Sequence, residues 1–189
     1  MNKTTQPIRN RKKIDELFTY LKGKSDRDYM IAKMQFNTAR RISDIVGLKV
    51  CDFIKPDGAF LEYVTIKEKK TDKEAKIAIN STLKTALSDY IKKEDLSYES
   101  YLFPSRKGNN KPVTLTQIHR IFQDAGRALG LEDFGTHSLR KTWGFFCYKE
   151  TKNIALIMDA YNHRSEKETL KYIGISQDAK DILFMNIKF

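Results

Sequence analysis

Apolar residues recur at helical spacing near the start of the chain. Ile14, Leu17, Phe18 and Leu21 stand at i, i+3, i+4 and i+7, which predicts one apolar helical face. Gly23 is the expected stop. Ser25, followed three residues later by Asp28, predicts the cap of a second helix running through Met30 and Met34 to about Asn37. A short helix follows from Arg41 and closes at Gly47. The period then changes. Lys55-Pro56-Asp57-Gly58 is a strong turn signal, and Phe60 to Ile66 and Ala75 to Ile79 read as strands around a charged turn at 67–73. Helical spacing returns at Leu83, Ala86, Leu87, Tyr90 and Ile91, behind a cap at Asn80 or Ser81. A Pro-, Gly- and Asn-bearing stretch from about Asp95 to Pro112 reads as a long loop. Thr114 and Gln117 form a capping box for a helix faced by Ile118, Ile121, Phe122 and Ala125, ending at Gly130. Three further helices are expected at about 137–149, 153–161 and 166–173. The expected class is α+β, mainly helical, with a small antiparallel β-sheet.

A length of 189 residues suits one domain with its own core. An apolar fraction of 40% with only 9 Gly and 4 Pro excludes collagen-like and wholly disordered chains. No apolar run approaches the roughly 20 residues a membrane helix needs, and the polar, basic start has no signal-peptide core. Cys51 and Cys147 form no CxxC pair, so a disulfide scaffold is not expected and a reducing cytoplasm fits best. Charge changes the picture more. Lys and Arg number 35 against 24 Asp and Glu, a formal net charge of +11, and a chain this basic usually meets a polyanion such as nucleic acid. Charge alone does not separate a DNA enzyme from a DNA-binding module.

Candidate chemistry is constrained by what is missing. The sequence has no P-loop, no GxGxxG, no His/Cys cluster with metal spacing and no acidic pair of the two-metal kind. No cofactor and no metal are therefore expected. The histidines are His119, His137 and His163. In His137-Ser138-Leu139-Arg140, an imidazole and a guanidinium share one helix face; an Arg fork can grip a phosphate and the histidine can move protons. By itself HxxR is a weak signal, compatible with a solvated helix face. Arg41 could simply pair with Asp44 three residues on, Lys70 could be a solvated turn lysine, and Tyr172 is one of nine tyrosines. His119 has no partner at a useful spacing and reads as surface. Trp143, Phe145 and Phe146 read as core.

Taken in order, these motifs resemble the tyrosine recombinases, the phage-type integrases. TARRISDIVGL is similar to the family's TGLRISELLGL box and puts its arginine at Arg41, next to Arg40. KKTDK resembles the SKTGK turn and points to Lys70, between Lys69 and Lys73. THSLRKT resembles THDLRHT, giving His137 and Arg140, and NHRSEKETLKYIGI resembles GHSSISTTLRYTH, giving His163 and Tyr172. The 23-residue step from Arg140 to His163 and the nine-residue step to Tyr172 suit the family. Departures are Ala39-Arg40 for Gly-Leu and Tyr161-Asn162 for Leu-Gly. The resemblance runs from about residue 8 to 180.

It implies the fold of the recombinase catalytic domain over residues 1–175. No preceding core-binding domain is expected, and an apolar tail occupies 176–189. It also implies a site-specific recombinase or integrase that breaks and rejoins double-stranded DNA. Tyr172 would attack phosphorus to give a 3′-phosphotyrosyl link, and Arg41 and Arg140 would neutralise the non-bridging oxygens. His137 would serve as base or relay, His163 would add a hydrogen bond, Lys70 would protonate the leaving 5′-oxygen, and Asp44 would support the site. The alternatives are a type IB topoisomerase-like enzyme and a non-catalytic basic DNA-binding regulator. The expected setting is the cytoplasm of a bacterium, with a bacterial or phage-encoded chain and no membrane partner. Self-association is expected as a tetramer on DNA and a monomer or weak dimer without it. Ile182, Leu183, Phe184, Met185, Ile187 and Phe189 make the tail too apolar for a free end, so it should dock in cis or on a neighbouring chain.

Overall fold

The computed structural model describes residues 4–108, 110–175 and 184–186. Eight α-helices and one two-stranded sheet carry these residues: α1 (Arg11–Lys24), α2 (Asp26–Thr38), α3 (Ile42–Ile45), β1 (Tyr63–Lys67), β2 (Glu74–Ala78), α4 (Ser81–Lys93), α5 (Leu115–Ala128), α6 (Ser138–Thr151), α7 (Ile154–Tyr161) and α8 (Glu166–Tyr172). The strands pair antiparallel, with Tyr63 opposite Ala78 and Lys67 opposite Glu74.

Helix starts follow local chemistry. The side chains of Asn10, Ser25, Asn80, Thr114, Asn153 and Ser165 each accept a hydrogen bond from a backbone N–H in the first turn of the following helix, satisfying a donor with no partner inside the helix. Helix ends are less local. α1 runs through Gly23 and stops one residue later, at the Ser25 cap of α2. Glycine costs only about 1 kcal/mol inside a helix, and burial of Ile14, Leu17 and Leu21 on one face offsets it. α2 ends on Ala39 and α7 on Asn162, both left-handed at φ 55°. These are the positions where the resemblance has glycine, the residue that adopts this conformation without strain.

The main core gathers α1, α2, α4, α5 and the sheet around Leu17, Met34, Ile45, Val64, Ile66, Leu87, Phe103, Phe122 and Leu139. A second, smaller cluster holds Ala39, Ile157, Tyr161 and Ile173, where α7 and α8 meet the end of α2. α6 joins the two clusters, and its buried Arg140 lies between them. The N-terminal segment crosses α6. Ile8 N–H donates to Thr142 Oγ1 at 2.8 Å, and Lys141 Nζ donates to the Thr5 carbonyl at 2.5 Å. Phe145 is buried, while Trp143 and Phe146 pack half-buried against the clusters, as the sequence predicts.

Close approach of α7 and α8 to α6 depends on Gly144. A Cβ there would collide with the Tyr161 hydroxyl and lie 2.8 Å from Ile173 Cγ2. Gly144→Ala is therefore expected to destabilise the fold by about 1–3 kcal/mol. Gly144→Ala combined with Tyr161→Phe should recover part of that loss, because the hydroxyl is the nearest obstacle. Urea unfolding of the two variants checks both statements.

Candidate active site

The site forms where α2 and α7 end. A helix C-terminus leaves carbonyls without helical partners and carries partial negative charge. Two arginines bridge these ends. Arg140 donates to the Ala39 carbonyl at 2.6 Å and to the Tyr161 carbonyl at 3.3 Å. Arg40 donates to the Thr38 carbonyl at 3.2 Å and to the Ala160 carbonyl. Both are almost completely buried. The Tyr161 ring lies under the Arg140 guanidinium, 4.4 Å from its carbon, and the Tyr161 hydroxyl donates back to the Arg140 carbonyl.

Arg41 stands at the N-terminus of α3, partly open to solvent. Its Nη1 lies 3.2 Å from Glu68 Oε2 and 3.9 Å from Asp44 Oδ2. Asp44 is buried, and its Oδ1 accepts from the Lys69 backbone N–H at 3.2 Å, which ties α3 to the β1–β2 turn. Of the turn lysines, Lys70 lines an open cleft of about 350 Å³ together with Arg41, Ser43, Leu115, His119, Thr136 and His137. His119 is exposed, as predicted, but it borders this cleft and contacts Thr136 Oγ1 at 3.4 Å.

Across the site, the Tyr172 hydroxyl lies 3.5 Å from His137 Nδ1. The Tyr172 ring packs edge-on against His163 and Tyr161, with centroids 5.2 and 5.4 Å away, and Lys141 Nζ sits 5.0 Å from its centre. His163 Nδ1 lies 3.1 Å from Thr169 Oγ1. Thr169 uses its one proton on the Ser165 carbonyl, so its oxygen accepts from His163 Nδ1, which leaves Nε2 without a proton in the neutral ring.

Environment tunes these groups. Burial raises the Tyr172 pKa above the ordinary tyrosine value, while Arg140 and Arg41 pull it back, Arg140 also through a hydrogen bond. Burial lowers the His137 pKa, and Arg140, Lys141, Arg41 and His119 lower it further. Burial likewise lowers His163, opposed by Glu168 and reinforced by Arg140 and Arg41. The structure thus brings Arg41, His137, Arg140, His163 and Tyr172 together, with Lys70 on the cleft wall and Asp44 behind Arg41. Among the described residues, no group of three or more His, Cys, Asp or Glu is placed to hold a metal ion, and no helix is long and apolar enough to cross a membrane.

One central residue escapes the sequence reading. Glu68 is fully buried at the end of β1. Its Oε1 accepts from Arg40 at 2.7 Å, and its Oε2 accepts from Arg41 at 3.2 Å and from the Thr71 hydroxyl at 2.8 Å. Burial alone would raise its pKa, but Thr71, Arg40, Arg41 and Arg140 hold it below the ordinary glutamate value. A signal was present. Val64, Ile66 and Glu68 alternate along one strand face, and an acid on an inward face requires a cation.

Both site histidines have lowered pKa values in the folded state, so the unfolded chain binds more protons around and below its own histidine pKa of about 6.5. The stability they contribute is present above that value and is lost as pH falls through the lower folded values. Urea midpoints of the wild type should therefore fall between about pH 7 and pH 5. His137→Gln and His163→Gln should each flatten that slope.

A model of the phage integrase family matches residues 10–178. A protein named probable integrase/recombinase YoeC, from Bacillus subtilis strain 168, is 42% identical over 173 residues, covering 92% of this chain and 91% of that protein. Further curated relatives named tyrosine recombinase are longer, and the chain covers 44% and 51% of two of them. Among solved structures, a XerH recombinase bound to a palindromic difH substrate superposes with a TM-score of 0.74 at 18% identity, covering 98% of this chain and 54% of that one. A lambda integrase tetramer bound to a Holliday junction gives 0.62 at 14% identity, covering 90% and 48%. Six sequence positions in family order, a fold shared with these structures and a family match over most of the length lead to one conclusion: the chain belongs to the phage integrase family of tyrosine recombinases, enzymes that break and rejoin DNA.

Proposed function

We propose that this chain is a site-specific DNA recombinase that cuts and reseals strands through a 3′-phosphotyrosyl intermediate on Tyr172. The observation that carries this reading is the Tyr172 hydroxyl 3.5 Å from His137, beside the buried guanidinium of Arg140. A tyrosine needs a neighbour to take its proton, and a histidine whose lowered pKa keeps it neutral near pH 7 can do so.

In the proposed reaction, the Tyr172 oxygen bonds to phosphorus as its proton passes to His137. Charge accumulates on the non-bridging oxygens, where Arg41 and Arg140 donate. His163 approaches the same oxygens through Nε2. In its neutral form that nitrogen only accepts, so His163 donates there as the imidazolium, a form that a nearby phosphate favours. The P–O5′ bond breaks and Lys70 gives its proton to the leaving 5′-oxygen. A 5′-hydroxyl from another strand reverses the sequence. The covalent link conserves the bond energy, so no nucleotide is consumed.

Three guanidiniums face two carboxylates at the site, and that positive excess suits a phosphodiester. The resemblance to YoeC over nearly its whole length favours recombination over a purely DNA-binding role. A regulator would also have no need of a tyrosine–histidine contact. The solved lambda integrase tetramer supports self-association on DNA, and the reaction belongs in the cytoplasm of the bacterial host. Of the apolar tail, Phe184 and Met185 are 83% and 72% exposed, which supports a docking role for that segment on a neighbouring copy. Ile182, Leu183, Ile187 and Phe189 lie outside the described residues.

Tyr172→Phe should bind a nicked suicide DNA substrate as wild type does and form no covalent adduct; adduct in that variant removes Tyr172 as nucleophile. Wild-type adduct formation should persist in excess EDTA. Loss on chelation, restored by magnesium, would contradict the proposed chemistry.

A further inference from the structure

We infer that Glu68 is a positioning residue for strand cleavage: its carboxylate fixes Arg41 at the scissile phosphate, and the buried Arg40 is the counter-charge that lets it do so without neutralising Arg41. This rests on the proposed phosphotyrosyl chemistry.

The two oxygens of Glu68 are divided between the arginines. Oε1 takes Arg40 at 2.7 Å in a pair sealed from solvent, and Oε2 takes Arg41 at the longer distance of 3.2 Å. Arg40 does not line the cleft that holds Arg41, Lys70 and His137. Its guanidinium also donates to the Thr38 and Ala160 carbonyls, and it is as buried as the hydrophobic core around it. Arg41 is the more exposed of the two and opens onto the cleft with Lys70 and His137. Asp44 Oδ2, buried and without a hydrogen-bond partner among the described residues, lies 3.9 Å from Arg41 Nη1.

Arg41 is therefore held between two carboxylates that together could cancel its charge. Arg40 prevents this by taking the greater share of Glu68. Thr71 extends the same arrangement into the turn, since its hydroxyl donates to the oxygen that holds Arg41, one residue after Lys70. Glu68 thereby sets the spacing between the arginine and the lysine on the cleft wall. Arginine at position 40, where the resemblance has leucine, and the acid at 68 form one unit, and neither is tolerable when buried without the other.

The test is single-turnover adduct formation with wild type, Glu68→Gln, Arg40→Leu and the double variant. Each is assayed on two suicide substrates, one with a normal scissile phosphate and one with a neutral methylphosphonate there. The methylphosphonate removes the charge that Arg41 neutralises. DNA affinity and a cooperative unfolding transition are measured alongside.

On the phosphate, Glu68→Gln should slow adduct formation about tenfold or more while DNA affinity stays within about twofold. On the methylphosphonate, the deficit relative to wild type should shrink to about twofold. The double variant should be no slower than the slower single variant, because the two residues act as one unit. An equal deficit on both substrates, no deficit on the phosphate, or losses that multiply in the double variant would each overturn the inference. Should Glu68→Gln fail to fold, the double variant has no uncompensated buried charge and carries the same two-substrate comparison. If wild type itself forms no adduct on the phosphate, the phosphotyrosyl reading fails instead.

Discussion

Two helices end against each other in this molecule, and their unfulfilled carbonyls are closed by arginine. Thr38 and Ala39 at the end of α2, and Ala160 and Tyr161 at the end of α7, receive donors from Arg40 and Arg140. Few other side chains suit this place. The guanidinium is planar, stays charged and presents five N–H groups in a fixed fork, so one group can bridge two helix ends and still offer donors on another side. A lysine would reach as a point charge and lose its proton more readily on burial. Negative ends of two helix dipoles make the buried positive charges tolerable. The docking of the second cluster onto the first is thus inseparable from the presence of guanidiniums at the site.

That dependence explains why the proposed chemistry lies at the seam between the clusters. Arg140 is carried by α6, which spans both; Arg40 and Arg41 follow α2; His163, Thr169 and Tyr172 come from the α7–α8 corner packed on α6 at Gly144. Removing one member of a buried ion network commonly costs about 3–5 kcal/mol, because its partner is left charged and unpaired. Substitutions of Arg40, Arg140 or Glu68 should therefore act on the fold and on the proposed reaction together, whereas Tyr172, half-exposed and at the end of its helix, can change with little effect on the core.

Much of this was legible in the sequence because it is local. Caps at Ser25, Asn80 and Thr114, apolar faces on α1 and α4, and the turn between the strands depend on residues within a few positions of one another. Helix ends were legible where the apolar period stops: α2, α7 and α8 end within a residue of their expected bounds, whereas Gly23, the expected stop of α1, sits inside it. The strands begin and end a few residues from their expected bounds, since pairing partners rather than propensity fix them. Of the site, residues at family spacing were visible and Glu68 was not. It lies in a run of charges that reads as solvated, and only its register with Val64 and Ile66 marks it as buried. His119 was correctly placed at the surface, but nothing in its own neighbourhood shows that the cleft reaches it. Which of Arg40 and Arg41 opens to the cleft is likewise a property of burial, decided by α7 more than a hundred residues away.

The same buried network imposes an order on the proposed reaction. Tyr172 is protonated in the resting enzyme, as a tyrosine ordinarily is near neutral pH, and partial burial raises its pKa further. A neutral His137 beside it is ready to accept a proton but gains little by doing so while the tyrosine has nothing to attack. Once a phosphate lies between Arg41 and Arg140, the proton can leave as the O–P bond forms, so the negative charge moves onto oxygens that already face donors and never rests on the tyrosine. The arginines need no rearrangement at that moment, since carbonyls and carboxylates have fixed them in advance.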